Sequence, residues 1–225
     1  MESKKFAIIV AGGSGSRMNS DTPKQFLTVG KHSIIAYTIS KFLQSDEQLQ
    51  VIVVIPKAHE LLWLQLPNEI VEHSRVTKTC GGETRYQSVT NGLSCIVAKE
   101  GDLVAIHDAV RPLISEDLIN RCYSAAQEFG NAIPATPIVE TLRKITESDS
   151  EWVNRADFRS VQTPQIFLYE IIKDAYHQPF SDTFTDDASV VEALGMKVNL
   201  VEGERNNIKI TTQEDLKLAR LLIES

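Results

Sequence analysis

The chain has 225 residues, 42% of them hydrophobic and 24% charged, the ordinary range for a soluble α/β unit with a substantial core. With 30 acidic residues against 23 basic ones the formal charge is −7, which excludes a broad nucleic-acid-binding surface and requires functional cations to be concentrated locally. Cys80, Cys95 and Cys122 are too widely spaced for a disulfide framework or a zinc site and read as buried free thiols. No apolar stretch approaches the ~18 residues of a membrane span. Met1 to Lys5 leads straight into the first strand with no room for a leader, so no membrane partner and a reducing cytoplasm are expected.

Phe6-Ala7-Ile8-Ile9-Val10 reads as a buried strand that ends in the loop Ala11-Gly12-Gly13-Ser14-Gly15-Ser16-Arg17-Met18. Three glycines in four positions let backbone N–H groups approach phosphate oxygens, and Arg17 and Lys24 add two fixed charges. The loop fits neither G-x-G-x-x-G nor the P-loop pattern. Taken alone, it reads equally as a tight β-to-α turn with a surface arginine.

Ser33 is expected to cap a helix carrying Ile34, Ile35, Tyr37, Ile39, Phe42 and Leu43. A strand at Val51 to Ile55 follows, then a helix with Leu61, Leu62, Trp63 and Leu66, then a strand from Arg75 to Cys80 ending at Gly81-Gly82. The pattern predicts a helix from Thr84 closed by Gly101, a strand from Asp102 to His107, and a helix capped by Ser115 and ended by Gly130. Alternating strands and helices argue for βαβ units in a mainly parallel sheet, with ligands beyond the C-terminal strand ends. The glycine loop, Gly81-Gly82 and Asp108 all fall at such ends.

Ile138 to Ile145 and Trp152 to Val161 flank a polar tip and suggest a hairpin, commonly no more than a surface excursion. Beyond it come a helix around Leu168 to Tyr176, a loop at Pro179 to Thr183, and a helix from Ala188 to Leu194 ended by Gly195. Val198 to Glu202 and Ile208 to Ile210 are candidate strands, and Thr212 with Asp215 resembles a capping box for the last helix.

Several motifs stand in one order along nearly the whole chain. AGGSGSRM and TPKQFL are followed by His107-Asp108-Ala109-Val110-Arg111-Pro112, Thr163-Pro164-Gln165, Thr185-Asp186-Asp187-Ala188-Ser189 and Asn207-Ile208-Lys209-Ile210-Thr211. Together they resemble the sugar-phosphate nucleotidyltransferases, and among these the 2-C-methyl-D-erythritol 4-phosphate cytidylyltransferase family, with the ribitol-5-phosphate cytidylyltransferases as near relatives. Val110 is shared at least as much with the ribitol enzymes, whereas Phe184 to Ser189 and Val153-Asn154-Arg155 are closer to the erythritol type.

The resemblance implies a Rossmann-like nucleotidyltransferase fold, one domain over 1–225, with an arm at about 138–162 that reaches a second subunit's active site in a homodimer. It implies attack of a polyol phosphate on the α-phosphorus of CTP, with Mg²⁺ as cofactor. Arg17 and Lys24 would stabilise the transition state, and Arg155 and Lys209 would hold the incoming sugar phosphate. Ala11, Gly12, Gly13, Ser14, Gly15, Gly82, Glu83, Ser88 and Ala109 would bind the nucleotide, Glu83 standing where relatives often have Asp. Asp108, Arg111, Thr141, Thr163 and Thr185 would line the acceptor pocket, with Asp108 also toward the metal.

Each assignment has a plainer counterpart. A lone arginine on a hairpin, such as Arg155, is usually just solvated, and Asp108 could simply pair with Arg111. His107 is expected to pack, because Mg²⁺ prefers oxygen. A rival of another class is a nucleotide-binding regulatory domain without turnover, and the joint presence of Arg17, Lys24, Asp108 and Lys209 speaks against it.

Overall fold

The structure is a computed structural model and describes residues 3–13, 18, 20 and 22–224. Arg17, Ser14 and Gly15 lie outside the described residues. Strand β1 (Lys5–Val10) is followed by the short β2 (Thr28–Val29) and β3 (His32–Ser33), helix α1 (Ile34–Ser45), β4 (Gln50–Ile55), α2 (Glu60–Trp63), α3 (Asn68–Val71) and β5 (Val76–Cys80). Then come α4 (Arg85–Ser94), β6 (Leu103–Asp108), α5 (Glu116–Phe129), β7 (Asn131–Pro137), β8 (Arg143–Ile145) and β9 (Ser150–Trp152). The chain closes with β10 (Arg159–Val161), β11 (Gln165–Leu168), α6 (Tyr169–Ala175), α7 (Asp187–Glu192), β12 (Leu200–Glu202) and α8 (Gln213–Glu224).

The main sheet runs β10-β7-β11-β6-β1-β4-β5, with β12 joined to β7. Its half β6-β1-β4-β5 is parallel, whereas β11 and β10 pair antiparallel, so the sheet is mixed and the expected parallel order holds only for the half that carries the glycine loop. The strand period of two sorts the core. Ala7, Ile9, Val51, Val53, Leu103 and Ala105 face a layer holding Phe42, Leu118 and Tyr123, while Phe6, Ile8, Ile52, Val54, Val104 and Ile106 face Val89, Ile172 and Val191. Each fully buried Val, Leu or Ile side chain among them contributes about 1.5–3 kcal/mol, so burial on both faces holds β1 between the two helix layers.

Helix boundaries follow from local chemistry, with some departures from expectation. Ser115 Oγ accepts from Leu118 N at 3.0 Å, and Gly130 closes α5 in the left-handed region at φ 86°. Thr212 and Asp215 exchange hydrogen bonds before α8 as the capping pattern requires. Ser33 occupies the N-cap position of α1, but its hydroxyl makes no cap bond. Helix α4 ends at Ser94 rather than Gly101: Cys95 N and Ile96 N turn back onto Gly92 and Leu93 carbonyls, tightening the last turn. The segment after Pro56 forms two short helices rather than one, and residues 208–210 form no strand, although Ile210 N donates to Val110 O at 2.9 Å. Cys122 is buried as expected, its thiol pushed up to about 12 by burial, but Cys80 and Cys95 are exposed. No helix among the described residues is long and apolar enough to cross a membrane.

Segment 138–162 is only partly a hairpin. Strands β8 and β9 pair antiparallel as a separate two-stranded sheet, then a turn at Arg155–Asp157 leads β10 back to the main sheet beside β7. Ile145 and Trp152 on the small sheet are 77% and 67% exposed, which leaves large apolar groups of this projection uncovered within one chain.

Candidate active site

The parallel strands end in line: Val10 stands opposite both Asp108 and Val54, and Ile55 opposite Cys80. Loops from these ends border a cavity of about 290 Å³ lined by Ala11, Gly12, Gly13, Lys24, Gly82, Glu83, Ser88, Asp108 and Lys209, among others. A second cavity of about 170 Å³ shares part of this lining and adds Arg111, Thr163 and Thr185. Residues far apart in sequence thus meet where a parallel sheet is expected to bind ligands.

Local structure explains how each side chain arrives. Pro23, with φ −56°, leads into a single 3₁₀ turn, Lys24–Phe26. That turn is tied to the glycine loop by Gln25, whose Nε2 donates to Ala11 O at 2.6 Å. Lys24 lies against Gly13, where a Cβ would stand 3.5 Å from Lys24 Cε. On the opposite lip, Gly82 N donates to Ser88 Oγ at 3.1 Å and Ser88 Oγ donates to Thr84 O at 2.9 Å, so the serine hydroxyl organises the loop as well as lining the cavity. A Cβ on Gly82 would collide with Gln87 Cβ. Only glycine allows this loop to close on the start of α4.

Asp108 is the electrostatic centre. Its Oδ2 accepts from Arg111 Nε at 3.1 Å and lies 3.1 Å from Lys209 Nζ. Burial alone would raise this carboxyl, but Lys209, Arg111 and Arg85 outweigh it and hold it well below the usual carboxylate range. Arg111 Nη1 also donates to Asn207 O at 2.8 Å, which ties the Lys209 segment to the end of β6. His107 packs beneath, as expected: burial pushes its pKa down to about 3, Nδ1 lies 3.1 Å from Thr163 Oγ1, and that hydroxyl accepts from Asp108 N at 3.1 Å.

Not every expected residue converges. Ala109 is fully buried, its carbonyl taken by Thr38 Oγ1 at 2.9 Å, and it lines neither cavity although its neighbours Asp108 and Val110 face the larger one. Thr141 and Arg155 lie exposed on the projecting segment, where Arg155 Nη1 donates to Val139 O. Neither lines these cavities.

A family profile described as 2-C-methyl-D-erythritol 4-phosphate cytidylyltransferase (IspD) matches residues 6–225. The chain belongs to this family. The 2-C-methyl-D-erythritol 4-phosphate cytidylyltransferase of Bacteroides thetaiotaomicron is 48% identical over 223 residues, covering 98% of this chain and all of the relative. Among solved structures, 4-diphosphocytidyl-2C-methyl-D-erythritol synthase from Anaerococcus prevotii superposes with a TM-score of 0.84 at 30% identity, over 99% of this chain and 97% of that one. The 2-C-methyl-D-erythritol 4-phosphate cytidylyltransferase of Thermus thermophilus gives a TM-score of 0.77 at 32% identity over the full length of both chains.

Within this cytidylyltransferase framework, residues with no assigned role also line or brace the two cavities. Gln25, only 1% exposed, sits inside the quoted TPKQFL motif, so its place beside Lys24 was the available signal. Gln162 and Asn207 brace the smaller cavity: Asn207 Nδ2 donates to Thr163 O at 2.9 Å and Gln162 Nε2 donates to Glu204 O at 2.8 Å. Neither long-range contact leaves a local trace in the sequence.

Proposed function

We propose that this cleft transfers the cytidylyl group of CTP to the phosphate of 2-C-methyl-D-erythritol 4-phosphate, the family's reaction in the non-mevalonate isoprenoid route, by positioning and charge neutralisation alone. An oxygen of the acceptor phosphate forms a bond to the α-phosphorus, the bond from that phosphorus to the β-bridging oxygen breaks, and the electron pair leaves with pyrophosphate. A phosphate monoester has its second pKa near about 6, so the nucleophile is already dianionic at neutral pH and needs no general base. What the protein must supply is positive charge around two mutually repelling anions.

The observation that carries the reading is the meeting of Lys24 and Lys209 with Gly12, Gly13, Gly82 and Glu83 around one cavity. Their separation on opposite sides of the molecule would have removed any common role. In this reading Arg17 joins Lys24 at the triphosphate, Ser14 and Gly15 complete the glycine loop, and Arg111, Thr163 and Thr185 shape the acceptor side. Among the described carboxylates lining the cavities only Asp108 lines both, and as an ionised oxygen donor it would hold a magnesium ion. Magnesium, when bound, supplies charge neutralisation on the triphosphate.

Residues 1–225 act as one nucleotidyltransferase unit, and the 138–162 arm crosses to a second copy, bringing Arg155 and Thr141 to the partner's acceptor pocket. The exposed Ile145 and Trp152 support this homodimer, and the free cysteines suit a reducing cytoplasm. Pyrophosphate release measured with CTP and, in parallel, the methylerythritol and ribitol phosphates tests the acceptor. A larger kcat/KM for ribitol phosphate would overturn it.

A further inference from the structure

Among the described residues three side chains line both cavities: Asp108, Lys209 and Arg85. The first two have roles in the reading above, whereas Arg85, the first residue of α4, has none. Its guanidinium is gripped from behind. Nη1 donates to Asp187 Oδ1 at 2.8 Å and Nη2 to Asp187 Oδ2 at 2.5 Å, a two-pronged pair that also fixes the plane of the group. Asp187 is fully buried, so the two-pronged grip cannot swing, and it takes a further bond from Tyr176 Oη at 2.6 Å that the guanidinium does not share.

The Arg85 side chain nevertheless keeps 32% of its surface exposed, and only two of its five N–H groups are used in this pairing. Its neighbour Tyr86 reinforces the placement, donating to Tyr176 O at 2.9 Å and stacking on Phe184, next to Thr185 of the acceptor side. The result is a rigid donor set aimed at the boundary between a nucleotide chamber and an acceptor chamber.

We propose that Arg85 is a further substrate-contacting residue of the transfer: its cleft-facing N–H groups donate to phosphate oxygens at the junction of the two cavities, where the new bond to phosphorus forms and pyrophosphate departs. Asp187 is the positioning residue that aims it. Arginine suits this place because one side of its fork can hold a carboxylate while the other still donates, which a lysine ammonium cannot do in fixed geometry. The proposal rests on the cytidylyltransfer reading, and the wild-type enzyme separates the two: absence of pyrophosphate release from wild type with CTP and methylerythritol phosphate would remove that reading itself.

Given wild-type turnover, the test compares Arg85→Lys with Tyr176→Phe, which disturbs the same buried carboxylate without touching the guanidinium. Arg85→Lys is expected to lower kcat at least tenfold with the KM for CTP within threefold of wild type, while Tyr176→Phe keeps kcat within threefold. Should Arg85→Lys fail to fold, the neutral pair Arg85→Gln with Asp187→Asn is expected to show the same loss of kcat in a folded protein. A kcat within threefold of wild type in the Arg85 variant, or an equal loss in Tyr176→Phe, would overturn the proposal.

Discussion

Lys24 owes its place to neighbours that do no chemistry: Pro23 sets the turn, Gln25 ties it to Ala11, and Gly13 leaves room for the lysine stem. Because the side chain lies at a rim and outside the core, Lys24→Ala is expected to cost about 10²–10³ in turnover with little change in melting temperature. Steady-state kinetics alongside a thermal melt checks both halves, and unchanged turnover would remove Lys24 from the mechanism. His107 gives a second expectation at this scale. Its pKa falls from near 6.5 to about 3 because burial penalises the imidazolium, so below pH 6.5 the unfolded chain takes up a proton that the folded one refuses. Its contribution is therefore complete above pH 6.5 and declines as pH falls toward 3, by at most about 1.4 kcal/mol per pH unit. Asp108, held low, acts in the same direction once pH drops below the ordinary carboxylate range. Denaturant titrations at pH 7.5, 6 and 5 should show this decline, and His107→Gln should flatten it; equal slopes would count against the assignment.

Helix α4 delivers both Ser88 and Arg85, and its height above the sheet is set by Gly92. A Cβ there would stand 2.7 Å from Ile8 Cγ2 and 3.1 Å from Val54 Cγ2, both on fully buried residues. Alanine favours a helix over glycine by about 1 kcal/mol, but overpacking a dense core costs about 1–3 kcal/mol and lifts the helix from β1 and β4. With the overpacking cost at the upper end of that range, Gly92→Ala is expected to lower the melting temperature by roughly 4–8 °C, at about 2–4 °C per kcal/mol for a chain of this size. A variant as stable as wild type would mean that the contact relaxes freely. Segment 207–209 behaves differently: it has no strand pairing of its own, and the Arg111–Asn207 bond and the Ile210–Val110 bond hold Lys209 at the cleft.

On the scale of the whole molecule, the projecting β8–β9 sheet decides whether one chain suffices. If the arm crosses over, Arg155→Ala and Lys24→Ala would damage different contributors to one site, and mixing the two proteins should regenerate one intact site per mixed dimer. Activity of the mixture no greater than that of either parent would speak against sharing between subunits. The same projection illustrates what a linear reading misses. A polar-tipped hairpin was legible at 138–162, but the return of β10 to the main sheet depends on pairing with β7, some 20 residues earlier, which no local pattern encodes.

The sequence by itself determined the two-faced strands β1, β4 and β6, the caps at Ser115 and Asp215, and the clustering of the glycine loop, Gly81-Gly82 and Asp108 at one edge, because periodicity and capping are local properties of residue type. The order of motifs carried the family. Only the tertiary structure decided that Ala109 is buried, that the sheet turns antiparallel beyond β6, and that Arg85 is locked onto Asp187, 102 positions away, with its free edge toward both cavities. Those outcomes depend on which distant groups satisfy each buried charge and backbone hydrogen bond, and such partners are chosen when the layers pack together.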